Sequence, residues 1–280
     1  MASIIGGIGT SHIPAIGAAI ARGTQEDPYW KPFFDGYPPI REWLHDASPD
    51  VAIIFSNDHG LNFFLDKQPT FAIGAAAQYL NADEGWGLPT LDPYAGDPEF
   101  SWHLIESLIT NDFDMTTCQE MLVDHAVTVP MSLLWPERAH QAVKIIPVNI
   151  NTVQHPLPSV ARCFALGETI GRAVASYPKD SKVVVLGTGG LSHQLDGQRA
   201  GFINKEFDEM CLDKIVNDPG ALLDISIHDL VKESGTQGVE VINWLAMRGA
   251  LQGQIKQLHY HYHIPVSNTA SGLLLLENAA

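Results

Sequence analysis

The 280-residue chain is 45% hydrophobic and 17% charged, which excludes a disordered protein and allows one large α/β domain or two smaller ones. A formal net charge of −16 excludes nucleic acid and anionic membrane as partners, because either would need a basic surface. Cys118, Cys163 and Cys211 are far apart and form no CxxC pair, and neither a signal peptide nor a bilayer-length apolar run is visible, so a reduced, soluble, cytoplasmic protein is expected.

In chain order, "SIIGGIG" (3–9), "DVAIIF" (50–55) and "TFAIGA" (70–75) read as buried strands, being short apolar runs bounded by turn residues. The Pro- and Gly-rich segments 23–39 and 81–98 read as long loops, a length more often functional than idle. "DPEFSWHLIESLI" predicts a helix, with Asp97 as cap and Pro98 in the first turn. His125, in "LVDHAVTVP", sits between an apolar run and a helix start. "KIIPVNI" (144–150) and "KVVVLG" (182–187) are further strands, separated by the helical "SVARCFALGETIGRAVASY". "INKEFDEMCLDKIV" and "GVEVINWLAMRGAL" are helical, and "LHYHYHI" is a last strand. Strands alternating with helices, with no linker and no repeat, predict a single α/β domain over 1–280. Its parallel or mixed central sheet would be flanked by helices.

Three strands end in histidine: "IIGGIGTSH" delivers His12, "AIIFSNDH" His59 and "VVVLGTGGLSH" His193. Loops after the carboxyl ends of strands converge on one crevice in open α/β sheets, so the three are expected to share a site. Asn57 and Asp58 flank one of them, and Ser11 and Ser192 the others. One histidine after a strand is ordinarily structural; three at equivalent positions favour chemistry.

The glycines do not make a dinucleotide turn. "GTGGLS" (187–192) has Ser192, and "GIGTSH" (7–12) has His12, where the third glycine of G-x-G-x-x-G belongs. Glu206 lies at the distance of the ribose-binding acid but in helical sequence.

Glu240 lies among Val239, Val241, Ile242, Trp244 and Leu245, and no cation stands one helical turn away. A buried unpaired carboxylate needs a distant partner or a metal, whereas an exposed one needs neither. Two imidazoles and a carboxylate make the facial triad of non-haem Fe(II) sites, with Zn(II) as the competing ion, although no H-E-x-x-H helix is present. His259, His261 and His263 alternate on one face of a strand. No acid adjoins them, and a solvated face is expected there.

"TSHIPAIGAAI", "NDH", "PTFAIG", "ADEGWG", "DHAVTVP", "GTGGLSHQLDGQRAGFINKEFD", "GVEVINWLAMRGAL" and "YHIPVSNTA" together resemble the class III (LigB-type) extradiol catechol dioxygenases. The likeness is to their protocatechuate 4,5-cleaving catalytic (β) subunits, and it covers nearly the whole chain in order. It implies Fe(II) held by His12, His59 and Glu240, with His193 as acid/base. Asn57 and His125 would support the ligands or touch substrate, and Ser267 and Asn268 would meet the substrate carboxylate. It further implies O2 as co-substrate and a separate small α subunit as partner. Protocatechuate would open to 4-carboxy-2-hydroxymuconate semialdehyde. Gallate and 3-O-methylgallate are alternative substrates; a non-catalytic Memo-like protein and a zinc hydrolase are alternative classes. The glycines before His193 are expected to turn the chain tightly and leave room for a planar ring.

Overall fold

The computed structural model describes residues 1–85, 88–137 and 143–278. Its strands are β1 (Ser3–Thr10), β2 (Val51–Ser56), β3 (Phe71–Gly74), β4 (Gln78–Asn81), β5 (Tyr94–Ala95), β6 (Thr116–Cys118), β7 (Leu122–Val123), β8 (Lys144–Ile150), β9 (Lys182–Thr188), β10 (Ile255–Val266) and β11 (Thr269–Asn278). Eight of them form one sheet in the order β10-β11-β1-β9-β2-β8-β3-β6, and β5-β4-β7 form a small second one. The centre, β1-β9-β2-β8, is parallel; β11 runs against both β1 and β10, and β3 runs against β8 but parallel to β6, so the sheet is mixed.

Alternation along the parallel strands divides the apolar residues between two cores. Ile53, Phe55, Val183 and Val185 face one side, and Ala52, Ile54, Val184 and Leu186 face the other. Helices 98–110, 160–176, 205–217 and 241–250 cover the first face; helices 14–22, 38–47 and 125–134 cover the second. Burial on both faces is why these strands read as unbroken apolar runs.

Glycine sets how closely the helix Val241–Ala250 lies on the sheet. A Cβ at Gly9 would stand 2.3 Å from the Trp244 ring, and one at Gly187 2.7 Å from the Asn243 carbonyl oxygen. Trp244 is fully buried against these strands and donates its indole N–H to Gly189 O at 2.9 Å. The approach brings the start of that helix level with the carboxyl ends of β1 and β9. Register aligns those ends, with Thr10 opposite Thr188 and Phe55 opposite Gly187.

The expected strands and helices are present, with Asp97 and Ser159 capping their helices through side-chain oxygens. Three differences stand out. β11, "TASGLLLLEN", was not expected as a strand, since a run of leucines has no period to separate strand from helix; pairing with both β1 and β10 decides it. Segment 23–39 is not one loop but holds the short helix Lys31–Phe34 and the start of helix Pro38–Ala47. Glu240 is not on a helix face: it ends the 3-10 turn Gly238–Glu240, directly before the helix. In the 81–98 segment and the "ADEGWG" motif, Trp86 and Gly87 lie outside the described residues. Among the described residues no helix is long and apolar enough to cross a membrane.

Candidate active site

The ends of β1, β9 and β2 bring His12, His193 and His59 to one edge of the sheet, and Glu240 meets them from the helix side. Glu240 Oε1 lies 3.5 Å from His12 Nε2 and 3.7 Å from His59 Nε2. The other carboxylate oxygen accepts from Gly190 N at 2.9 Å. Glu240 and His12 are buried, while the His59 side chain keeps 25% exposure and marks the open side.

Each histidine has one ring nitrogen engaged, which fixes the role of the other. Thr188 Oγ1 donates its single proton to Ala126 O at 2.9 Å, so at 3.1 Å from His12 Nδ1 it accepts, leaving Nε2 with a lone pair toward Glu240. His59 Nδ1 donates to Asp124 Oδ2 at 2.9 Å, which frees its Nε2 in the same way. His193 Nδ1 donates to Leu191 O at 2.9 Å, leaving Nε2 as a free base. The carboxylate behind His59 and the carbonyl behind His193 are the usual supports of a metal-binding or acid/base histidine, and at His12 the Thr188 hydroxyl takes that place.

Burial opposes charge at Glu240, but His12, His59 and His193 outweigh it and hold the carboxyl well below the usual range. Burial likewise opposes charge at His59, yet Asp124 and Glu240 beside it push the imidazole up to about 10. Burial moves His193 and His125 down, toward the neutral form. Among the described residues the ion pairs of Glu240 and Asp124 are with histidines alone, so two buried carboxylates call for a cation. Once deprotonated, as metal binding requires, the Nε2 atoms of His12 and His59 and one carboxylate oxygen of Glu240 make a donor set that fits a divalent transition metal in a His/His/Glu site.

Asn57 Nδ2 lies 3.1 Å from both Glu240 Oε1 and His59 Nε2, and its oxygen accepts from Asn243 Nδ2 at 3.3 Å. Asn57 thus borders the point where the donors meet. Asp58 turns inward and accepts from the backbone N–H of Gly60, Leu61, Asn62 and Phe63, shaping the loop after His59. His125 begins its helix, stacks on His59 with ring centroids 3.9 Å apart, and pairs with Glu84 through Nδ1. Its ligand atom can also fall within 4.8 Å of those of His12 and His59, so geometry alone admits His125 as a third donor. Glu240 stands 3.5 and 3.7 Å from the other two donors and brings the charge that a cation needs.

Ser267 and Asn268 form the turn between β10 and β11, and Ser267 N donates to the Tyr29 hydroxyl at 2.8 Å. His193 bridges to Thr269, which places that turn on the His193 side of the site. The alternating histidines of β10 stand apart: His259 donates from Nε2 to Gly36 O at 2.7 Å, and all three are half-buried rather than on a solvated face. The tight glycine turn makes room for Glu240. A Cβ on Gly189, whose φ is +110°, would meet Glu240 Oε2 at 2.8 Å, so the space cleared at Gly189 holds the carboxylate.

Sequence reading passed over Asp124, Glu84, Thr188 and Asp208. An Asp before a helix signals a cap, and Asp124 Oδ1 does cap, accepting from Ala126 N at 2.9 Å; its second contact, to His59, is tertiary.

Residues 6–272 match the family model described as the catalytic LigB subunit of aromatic ring-opening dioxygenase. Gallate dioxygenase of Pseudomonas putida is 41% identical over 197 residues, covering 70% of this chain and 58% of that protein. A 2,3-dihydroxyphenylpropionate/2,3-dihydroxicinnamic acid 1,2-dioxygenase of Rhodococcus sp is 36% identical over 153 residues, covering 55% of this chain and 46% of that protein. The match therefore spans about half the length of these curated relatives. The crystal structure of an uncharacterized Escherichia coli K12 protein, JW3007, superposes with TM-score 0.58 over 97% of this chain and 99% of its own at 14% identity, a likeness of fold.

Proposed function

Because the chain belongs to the LigB family of catalytic subunits of aromatic ring-opening dioxygenases, we propose that it is an Fe(II)-dependent extradiol dioxygenase of carboxylated catechols, with protocatechuate as substrate and cleavage at the 4,5 bond. The observation that carries the reading is the buried meeting of His12 Nε2, His59 Nε2 and Glu240 Oε1 beside the free Nε2 of His193.

His12, His59 and Glu240 are the residues that would hold the metal, and Asp124 and Thr188 keep the two imidazoles in the ligating tautomer. When bound, Fe(II) supplies Lewis acidity toward the catechol oxygens and the redox chemistry that dioxygen requires. His193 removes a phenolic proton at Nε2 and holds it for return as the ring opens; its neutral form, favoured by burial, is the form that can take it. Asn57 and His125 stand beside the ligands, and Ser267 and Asn268, in the turn on the His193 side, are the residues that would meet a ring carboxylate. Both atoms of O2 enter the product, and protocatechuate yields 4-carboxy-2-hydroxymuconate semialdehyde. Phe64 and Leu65, exposed in the hairpin that follows His59, offer apolar surface to a separate small subunit covering the open side.

A second reading, gallate as substrate, is favoured by the 41% identity to gallate dioxygenase; it uses the same residues and differs in the extra ring hydroxyl. The test is anaerobic loading with Fe(II), then oxygen uptake with protocatechuate and with gallate, with and without a candidate small subunit. Uptake with yellow product identifies the substrate. No uptake with either catechol, despite bound iron and the partner, rejects the reading in favour of a non-catalytic or hydrolytic protein.

A further inference from the structure

Asp208 is buried on the helix Lys205–Asn217, away from the donors around Glu240, and among the described residues it has no cationic partner. It accepts three hydrogen bonds through its two oxygens. Ser192 N donates to Oδ1 at 2.8 Å; Ser192 Oγ and the Tyr262 hydroxyl donate to Oδ2 at 2.6 and 2.9 Å. Ser192 Oγ in turn accepts from Asn204 N at 2.8 Å. Burying a carboxylate without a cation is unfavourable, so packing alone does not account for it.

The decisive geometry is that of a single peptide group. The unit joining Leu191 to Ser192 presents its N–H to Asp208 Oδ1 and its C=O to His193 Nδ1–H, at 2.8 and 2.9 Å. Asp208 therefore sits at one end of a polarised amide and the His193 imidazole at the other. A negative charge at the N–H end makes the carbonyl a stronger acceptor, and most so for an imidazolium that has just taken a proton. The loop needs such a clamp, because Gly189 and Gly190 before it both hold positive φ, +110° and +62°.

We propose that Asp208 is a positioning residue for His193, acting through the Leu191–Ser192 peptide as the orienting group of the acid/base. The proposal rests on the acid/base reading of His193. It assigns a role to the acidic end of the "GTGGLSHQLDGQRAGFINKEFD" motif and to Tyr262, which fixes that acid from β10.

The test compares wild type, Asp208→Asn, His193→Ala and the double variant in catechol cleavage, with iron content measured on each. Asp208→Asn is expected to lower kcat roughly tenfold, part of what the base itself contributes, with KM and iron content near wild type. In the His193→Ala background the same change is expected to cost little more, because Asp208 acts through that ring. An unchanged kcat, or an equal loss in both backgrounds, overturns the proposal. A second readout is independent of turnover: 15N-histidine NMR of the zinc-substituted protein should show His193 as the Nδ1–H tautomer in wild type and a mixture in Asp208→Ala. An unchanged tautomer overturns the proposal even if no catechol is cleaved, whereas inactivity of wild type alone rejects only the dioxygenase reading. Should Asp208→Ala not fold, Ser192→Ala removes one bond of the clamp and is expected to lower kcat in the same direction; wild-type kcat there, with Asp208→Asn also unchanged, overturns it.

Discussion

Asp124 holds His59 twice with one oxygen: Oδ2 accepts from the His59 ring Nδ1 and from its backbone N–H, each at 2.9 Å. Its other oxygen caps the helix that starts at His125. One side chain thus sets both the tautomer of the His59 imidazole and the start of the helix that carries its stacking partner. Asp124→Asn keeps a capping side chain but removes the charge behind His59. It is expected to leave the melting temperature nearly unchanged while weakening iron binding about 10–100-fold, the usual effect of losing such a support. Asp124→Ala should lose the cap as well, at about 1 kcal/mol. Chelator competition and thermal melts separate the two effects.

The ligand and acid/base roles divide under mutation. His12→Ala and Glu240→Gln are expected to lose iron, because each removes one of three convergent donors; metal analysis after anaerobic loading reads this directly. His193→Ala is expected to keep stoichiometric iron and lose about 10²–10⁴ in kcat, the contribution typical of a positioned acid/base. A His125→Ala variant that lost iron while Glu240→Gln kept it would transfer the third position to His125, whose ring stacks on His59 at 3.9 Å.

Much of this site was legible in the sequence because strand ends carry it. His12, His59 and His193 follow apolar runs that needed only a parallel sheet to bring them together, and β1-β9-β2 are neighbours in that sheet. Glu240 was legible as an acid among apolar residues, but its place at a helix start was not, since the apolar pattern around it runs from the 3-10 turn into the helix without a capping residue to mark the boundary. The supports were hidden for a different reason. Asp124, Thr188 and Asp208 act across sequence separations that no local pattern encodes, 65 residues from His59 to Asp124 and 176 from His12 to Thr188. β11 was hidden too, its leucines being compatible with either period until β1 and β10 flank them.

Gly189 gives a test of the turn itself. Its φ of +110° is one that L side chains rarely adopt, and an added methyl would press on the Glu240 carboxylate, 2.8 Å from Oε2. Gly189→Ala is expected to cost about 1–3 kcal/mol in stability from strain and to weaken iron binding through displaced Glu240. Gly253, at +74° with open space around it, supplies the control: strain alone without loss of iron. Equal iron affinity in both variants would show that Gly189 serves the backbone and not the carboxylate.

Asp208 makes a prediction about stability with a definite sign. Burial raises its carboxyl from the ordinary 3.8 to about 6, against the bonds from Ser192 and Tyr262 that favour the ionised form. The folded protein therefore binds this proton more tightly than the unfolded chain does. Below about pH 4 both states hold the proton and the carboxyl has no pH-dependent effect. As pH rises toward 6 the unfolded chain releases it first, and folding loses up to about 3 kcal/mol that stays lost at neutral pH. Asp208→Asn cannot ionise, so relative to wild type it should gain stability between pH 4 and 7, read as a growing difference in urea midpoints. A constant difference across that range would place Asp208 in a polar setting that burial does not disturb. A growing one, together with the fall in kcat, would show a carboxylate kept at some expense in stability for the orientation of His193.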